Sequence, residues 1–197
     1  MGIPKGTLEP LIESDGRRVE EKDQIEAAHT ILPRKFLSGP FLDNLSDVFI
    51  LSLRRNLLEK TQSNTWTHIE DLWSFFQEVT TVATIESLFG SELLRQNPNF
   101  VSDYWAFDDN AEDFVRELPR FLAPSTYATR DRLHESIEAW LQSAHPGKNF
   151  ARVNDEDPTW DANMGSKFCQ ASDSVLANMP SFNLKARAAE VLSFILG

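Results

Sequence analysis

Apolar side chains recur at three- and four-residue spacing from His29 to the end of the chain, and that period predicts helix after helix. Leu42, Leu45, Phe49, Leu53 and Leu57 define one buried stripe. Thr67 and Glu70 have capping-box spacing ahead of a second run, in which Leu72, Phe76, Val79 and Ala83 form a face that continues to Leu88. Gly90 supplies the left-handed stop. Pro98 opens the next helix, Phe100, Tyr104, Phe107 and Phe114 give it apolar weight, and Pro119 and Pro124 bracket its end. Ser125 or Thr126 caps the successor, where Leu133, Ile137, Trp140, Leu141 and Ala144 make the clearest amphipathic stripe in the chain. That helix ends at His145-Pro146-Gly147. Past a polar loop through Asn154-Asp155-Glu156-Asp157-Pro158, one helix is expected around Asn163 to Asn178. A last one from Asn183 carries Leu184, Ala188, Val191, Leu192 and Ile195 on one side.

No run alternates apolar and polar residues as a half-buried strand would, and 65–68 is the most extended-looking piece. No repeat is visible. The pattern predicts an all-α chain of about six or seven helices. Residues 1–28 read differently. Glu13, Asp15, Glu20, Glu21, Asp23 and Glu26 alternate there with Arg17, Arg18 and Lys22, and few large apolar side chains intervene. Such a composition predicts a flexible charged arm, leaving 29–197 as a single helical domain.

Charge and composition narrow the class. Thirty acidic against 19 basic side chains give a net charge of −11, which argues against nucleic acid as a partner because phosphate binding needs clustered Lys and Arg. Hydrophobic residues make up 41% of the chain, with 14 Phe and 5 Trp, enough for a real core. No stretch approaches the roughly 18 consecutive apolar residues of a membrane span, and Met1 to Asp15 has no signal-peptide core, so a cytoplasmic protein is expected. The single cysteine, Cys169, excludes a disulfide framework and a cysteine-built zinc site. Eight unclustered glycines leave no phosphate-binding loop.

Five blocks occur in order: Thr84 to Gly90 (TIESLFG), Phe100 to Asp108 (FVSDYWAFD), Leu118 to Arg132 (LPRFLAPSTYATRDR), Asp157 to Ser166 (DPTWDANMGS) and Lys185 to Glu190 (KARAAE). Together they resemble the middle of the fungal haem-thiolate monooxygenases, the cytochrome P-450 family, over about His29 to Gly197. The resemblance implies the helices that the family letters C through the start of I. These include the pair that roofs the substrate pocket, here about Phe100 to Arg116 and Ser125 to Ala144. It also implies an absence: the family's cysteine loop, its acid–arginine helix and its oxygen-activating residues would all lie beyond Gly197. The expectation is a haem-free chain with no cofactor and no metal, truncated at both ends.

Four local patterns bear on chemistry. Gly165 to Ala171 has the glycine-to-cysteine spacing of a haem-thiolate loop, but Ala162 stands where the family has an aromatic, so Cys169 is read as a small buried residue. Glu117-Leu118-Pro119-Arg120 imitates the acid–arginine motif around a helix-breaking proline. Asp108 to Asp113 looks like the aspartate-rich metal motif of terpene cyclases, yet Arg116 can pair with Glu112 or Asp113, which reads as a solvated acidic face. Asp108 is assigned a mainly structural role. Asp131 lies three residues before His134 on the best-defined helix, so the two can face the same way, and a histidine oriented by a carboxylate is a common general acid or base. His29, His68 and His145 have nothing beside them that points to a role.

The functional expectation is a protein that binds a lipophilic natural-product intermediate, terpenoid or polyketide, and catalyses a cofactor-independent cyclisation or isomerisation in secondary metabolism. Asp131, His134 and Asp108 are the candidate catalytic residues, and Tyr104, Trp105 and Phe107 the candidate substrate-binding ones. The alternative is a non-catalytic ligand-binding or partner protein that retains the fold. A homodimer is also expected, formed through an uncovered apolar side of the last helix.

Overall fold

The structure, a computed structural model, describes residue 25 and residues 27–61, 66–144 and 158–196. A π-helical turn, Ala27–Ile31, leads into α1 (Leu32–Phe36) and α2 (Gly39–Lys60). Then come α3 (Leu72–Phe89), α4 (Ser91–Gln96), α5 (Phe100–Asp108), α6 (Ala111–Val115) and α7 (Pro124–Ala144). A hairpin of β1 (Trp160–Asp161) and β2 (Gly165–Ser166) precedes α8 (Lys167–Ala177) and α9 (Leu184–Leu196). The two strands pair antiparallel, Trp160 with Ser166 and Asp161 with Gly165. The all-α class holds. The described residues carry nine α-helices because short breaks divide what the periodicity joins.

Those breaks have local causes. The helix expected over 100–116 splits at Asp109-Asn110, where the Asn110 side-chain amide donates to the Ala106 carbonyl at 2.8 Å and competes with the backbone ladder. α3 is capped by Asp71 rather than by Thr67 and Glu70: its carboxylate accepts from the Trp73 and Ser74 amides at 2.9 and 3.2 Å and from the Ser74 hydroxyl at 2.6 Å. Those bonds hold the Asp71 carboxyl below its ordinary range. α7 begins at Pro124, whose missing N–H costs nothing at a first helical position. The strands form at Trp160–Asp161 and Gly165–Ser166, which delays α8 to Lys167, and none forms at 66–68. Most of the expected arm, the stop at 145–147 and the loop through 154–157 fall outside the described residues.

The core forms around α7. Leu133, Ile137, Trp140 and Leu141 are fully buried, as their spacing predicts, against Ile85 and Phe89 of α3, Leu93 of α4, Phe100 and Phe107 of α5, and Ala188, Val191 and Leu192 of α9. The Trp140 indole N–H donates to the Asn163 carbonyl at 2.7 Å, anchoring the hairpin to this core. Arg132 of α7 reaches Asp103 of α5 at 2.5 Å, and Arg187 of α9 grips the buried Asp173 of α8 at 2.7 Å.

The periphery departs from the sequence reading. α2 lies against α3, so Leu45, Phe49, Leu53 and Leu57 are half-buried and Leu42 is exposed. Leu72 and Phe76 are exposed as well. α9, expected to leave an apolar side uncovered, packs instead on α7 and α8: Ala188, Val191 and Leu192 are buried, and Leu184 and Ile195 half-buried. The surface argued to pair two copies is therefore already occupied within one chain. Large apolar side chains stand open elsewhere, at Leu51 and Leu58 of α2 and at Leu72, Trp73 and Phe76 of α3. Among the described residues no helix is long and apolar enough to cross a membrane.

Candidate ligand-binding site

α3, α5 and the C-terminal end of α9 enclose a pocket of about 230 Å³. From α3 come Thr80, Thr81, Thr84, Ile85, Leu88 and Phe89, a set that one side of a helix can present because residues three and four apart share a face. α5 contributes Tyr104 and Trp105, and α9 closes the far wall with Phe194 and Ile195. The Trp105 indole N–H donates to the Thr81 hydroxyl at 3.2 Å, tying two walls together. Tyr104 packs edge-on against Trp105 with ring centroids 5.1 Å apart. Burial, and then the negative charge of Asp108 one turn later, push the Tyr104 phenol above its ordinary pKa, so it keeps its proton at neutral pH. The lining is apolar carbon with a few hydroxyls, the usual make-up of a small-molecule site.

Two of the three residues expected to bind substrate, Tyr104 and Trp105, thus line this pocket together. Phe107 does not; it is 3% exposed and belongs to the core around α7. Asp108 is exposed at the end of α5 and acts on Tyr104 through its charge. Asp131 and His134 do not line the pocket. Although burial opposes it, hydrogen bonds from Arg130 and Arg120 hold the Asp131 carboxyl below the usual carboxylate range. Both arginines also lie over the Tyr127 ring, at 5.0 and 5.8 Å from its centroid. His134 is half-buried, and burial, then the charge of Arg130, push its pKa down to about 4. Its Nε2 atom has no hydrogen-bond partner among the described residues. The carboxylate expected to orient the imidazole is held by arginines instead.

The remaining patterns resolve individually. Asp108, Asp109 and Glu112 are exposed, and Arg116 pairs with Glu112 at 2.5 Å. Among the described residues no group of three His, Cys, Asp or Glu side chains is placed to hold a metal ion. Glu117 adopts a left-handed backbone (φ 55°) and Arg120 bonds Asp131, so the two do not form an acid–arginine pair. Cys169 sits in the first turn of α8, 3% exposed, its amide donating to the Ser166 hydroxyl at 3.3 Å. Burial, reinforced by Asp173 and Asp161, pushes its thiol well up. A haem iron needs a thiolate presented at an open face, so the chain's one cysteine does not fit that role. His68 is exposed in an irregular segment, and His145 lies outside the described residues. His29, to which the sequence assigns nothing, sets its Nε2 2.5 Å from the buried Glu190 carboxylate, without hydrogen-bond alignment.

Sequence reasoning missed Thr81, Thr84, Ile85, Leu88, Phe194 and Ile195 as pocket residues. The available signal was hydroxyl side chains at 80, 81 and 84 in the otherwise apolar stretch Val79 to Ile85 (VTTVATI), where threonine needs a reason to be.

No protein-family model and no solved structure matches the chain. Curated relatives do. Cytochrome P-450 monooxygenase fsoE of Humicola fuscoatra is 29% identical over 172 residues, covering 85% of this chain and 29% of its own. Cytochrome P-450 monooxygenase efuG of Hormonema carpetanum is 26% identical over 196 residues, covering 98% of this chain and 34% of its own. Cytochrome P-450 monooxygenase calL of Penicillium decumbens is 24% identical over 140 residues, 71% of this chain and 26% of its own. The chain thus spans about a third of the length of the relatives it matches most fully. Over most of its length it is a cytochrome P-450-like helical chain, similar to one part of fungal monooxygenases.

Proposed function

We propose that this chain holds a lipophilic small molecule, a terpenoid or polyketide intermediate of secondary metabolism, in the pocket between α3, α5 and α9. The observation that carries the reading is the placement of Tyr104 and Trp105, the aromatic pair of the family-like FVSDYWAFD block, on one wall of an apolar pocket. Relatives named as monooxygenases support a fold suited to such ligands. Confinement of a flexible ligand in a folded conformer is the route by which the site would promote a cofactor-independent cyclisation or isomerisation, with the protonated Tyr104 phenol as hydrogen-bond donor. One observation favours the second reading, binding without turnover: Asp131 is held by two arginines and neither it nor His134 reaches the pocket lining.

The deciding experiment incubates the purified chain with candidate intermediates, with chelator present and no haem added, while following product by mass spectrometry and binding by quenching of Trp105 fluorescence. Quenching with new product supports the cyclase or isomerase, and quenching without product supports the binding protein. A Trp105→Phe variant should lose most of the quenching signal. Saturable binding that is unchanged when Tyr104 and Ile85 are both replaced by alanine would move the ligand elsewhere and overturn the reading.

A further inference from the structure

The hydroxyl groups of this pocket differ in what they already hold. Thr80 donates to the Phe76 carbonyl at 2.6 Å, so its proton is committed within α3. Thr81 accepts the Trp105 indole N–H, which uses a lone pair and leaves its own O–H without an acceptor among the described residues. The hydroxyls of Thr84 and Tyr104 have no hydrogen-bond partner there either. Against these three donors the described lining sets no charge: none of the described residues that line it is Asp, Glu, Lys, Arg or His.

We propose that the pocket takes an uncharged lipophilic molecule through a hydrogen-bond-accepting oxygen, a carbonyl or an ether, read by the hydroxyls of Tyr104, Thr81 and Thr84. The inference rests on the ligand-binding reading above and narrows it to a chemical class. A carboxylate or phosphate ester would leave its solvation for a wall with no cation, and an amine for a wall with no anion; both are strongly disfavoured. A pure hydrocarbon would cover the hydroxyls and leave them unpaired, which is the costlier half of hydrogen-bond energetics. A neutral oxygen avoids both penalties. Thr81 and Thr84 lie one helical turn apart, and Trp105 joins Thr81 to the residue beside Tyr104, so the three donors belong to one stretch of wall.

The test uses four probes of nearly equal length: methyl hexyl ketone, nonane, octanoate and octylammonium, titrated calorimetrically into the intact chain and into Tyr104→Phe and Thr84→Val variants. Tyr104→Phe keeps the ring that packs on Trp105, and circular dichroism checks that each variant is folded. The ketone should bind at least about tenfold more tightly than either ion, and Tyr104→Phe should weaken it roughly fivefold, the factor that one neutral hydrogen bond supplies. Nonane, which makes no hydrogen bond, should bind Tyr104→Phe as it binds the native chain. Ketone affinity unchanged in both Tyr104→Phe and Thr84→Val would overturn the oxygen-reading assignment while leaving a lipophilic pocket in place. Binding of octanoate or octylammonium as tightly as the ketone would overturn it too. Failure of ketone and nonane alike would remove the pocket reading itself, and this proposal with it.

Discussion

His134 is a histidine that folding keeps neutral. Burial and the neighbouring Arg130 push its pKa from 6.5 down to about 4, and among the described residues its Nε2 has no partner to offset the loss of solvent. Because the folded pKa lies below the unfolded one, the unfolded chain binds the extra proton as pH falls between those values. The contribution to stability is therefore fully present above pH 6.5 and is lost progressively towards pH 4. Discounted for the partial exposure of the ring, the effect is on the order of 1 kcal/mol. Urea midpoints measured across this range should fall less steeply for His134→Gln than for the native chain; parallel slopes would show that the ring reaches solvent. The same residue shows what spacing cannot supply. Asp131 three residues earlier was legible as a neighbour on the helix face, but Arg120, eleven positions away across a loop, takes the carboxylate. Tyr104 and Trp105 were expected because the family resemblance implies that 100–116 roofs a substrate pocket, and both line the pocket, whereas Phe107, two residues on from Trp105, turns into the core around α7.

At the scale of elements, the C-terminal end of α3 is closed by a segment more than seventy residues away in sequence. The Trp160 indole donates to the Glu86 and Ser87 carbonyls at 3.2 and 3.0 Å, and the Ser166 hydroxyl donates to the Leu88 carbonyl at 2.9 Å. Ser87 and Leu88 are among the carbonyls that a helix end leaves without intrahelical donors, while Glu86 also accepts the Gly90 N–H at 3.0 Å. The clasp requires two glycines back to back. Gly90 and Gly165 both have positive φ, and a Cβ at Gly165 would stand 2.4 Å from the Gly90 nitrogen and the Leu88 oxygen, backbone atoms that cannot swing away. Gly165→Ala should cost at least about 3 kcal/mol and lower the melting temperature by roughly 6–12 °C. Gly39→Ala is the control: φ is positive there too, but nothing lies within 4 Å, so only the conformational cost of about 1 kcal/mol is expected. Equal losses in the two variants would dismiss the clasp. Gly90 was readable as a helix stop from its position. The hairpin was not, since its two strands pair only with each other and two residues are too few to carry an alternation.

For the whole molecule, burial is uneven in a way the periodicity cannot reveal. A helix with apolar residues on one face reads the same whether that face meets a neighbour or solvent, so the stripe of α7 and the stripe of α2 look alike in sequence; only α7 is surrounded. The last helix was expected to be bare and is covered, while Leu51 and Trp73 on the outer side of the α2–α3 pair are 66% and 72% exposed. Side chains that exposed contribute little to the stability of a single chain, and substitutions at such positions stay within about 0.5 kcal/mol. They do contribute to whatever meets that surface, since each square ångström of apolar area removed from water is worth about 25 cal/mol. The double variant Leu51→Gln, Trp73→Gln should accordingly melt within about 4 °C of the native chain, bind less of an apolar-surface dye and stay soluble at higher concentration. Light scattering gives the matching readout of association. If copies pair through this face, the native mass exceeds 22.4 kDa and the variant returns to it. A variant that melts further below the native chain would mean that these side chains are packed within the chain, and the surface would then offer nothing to a second copy.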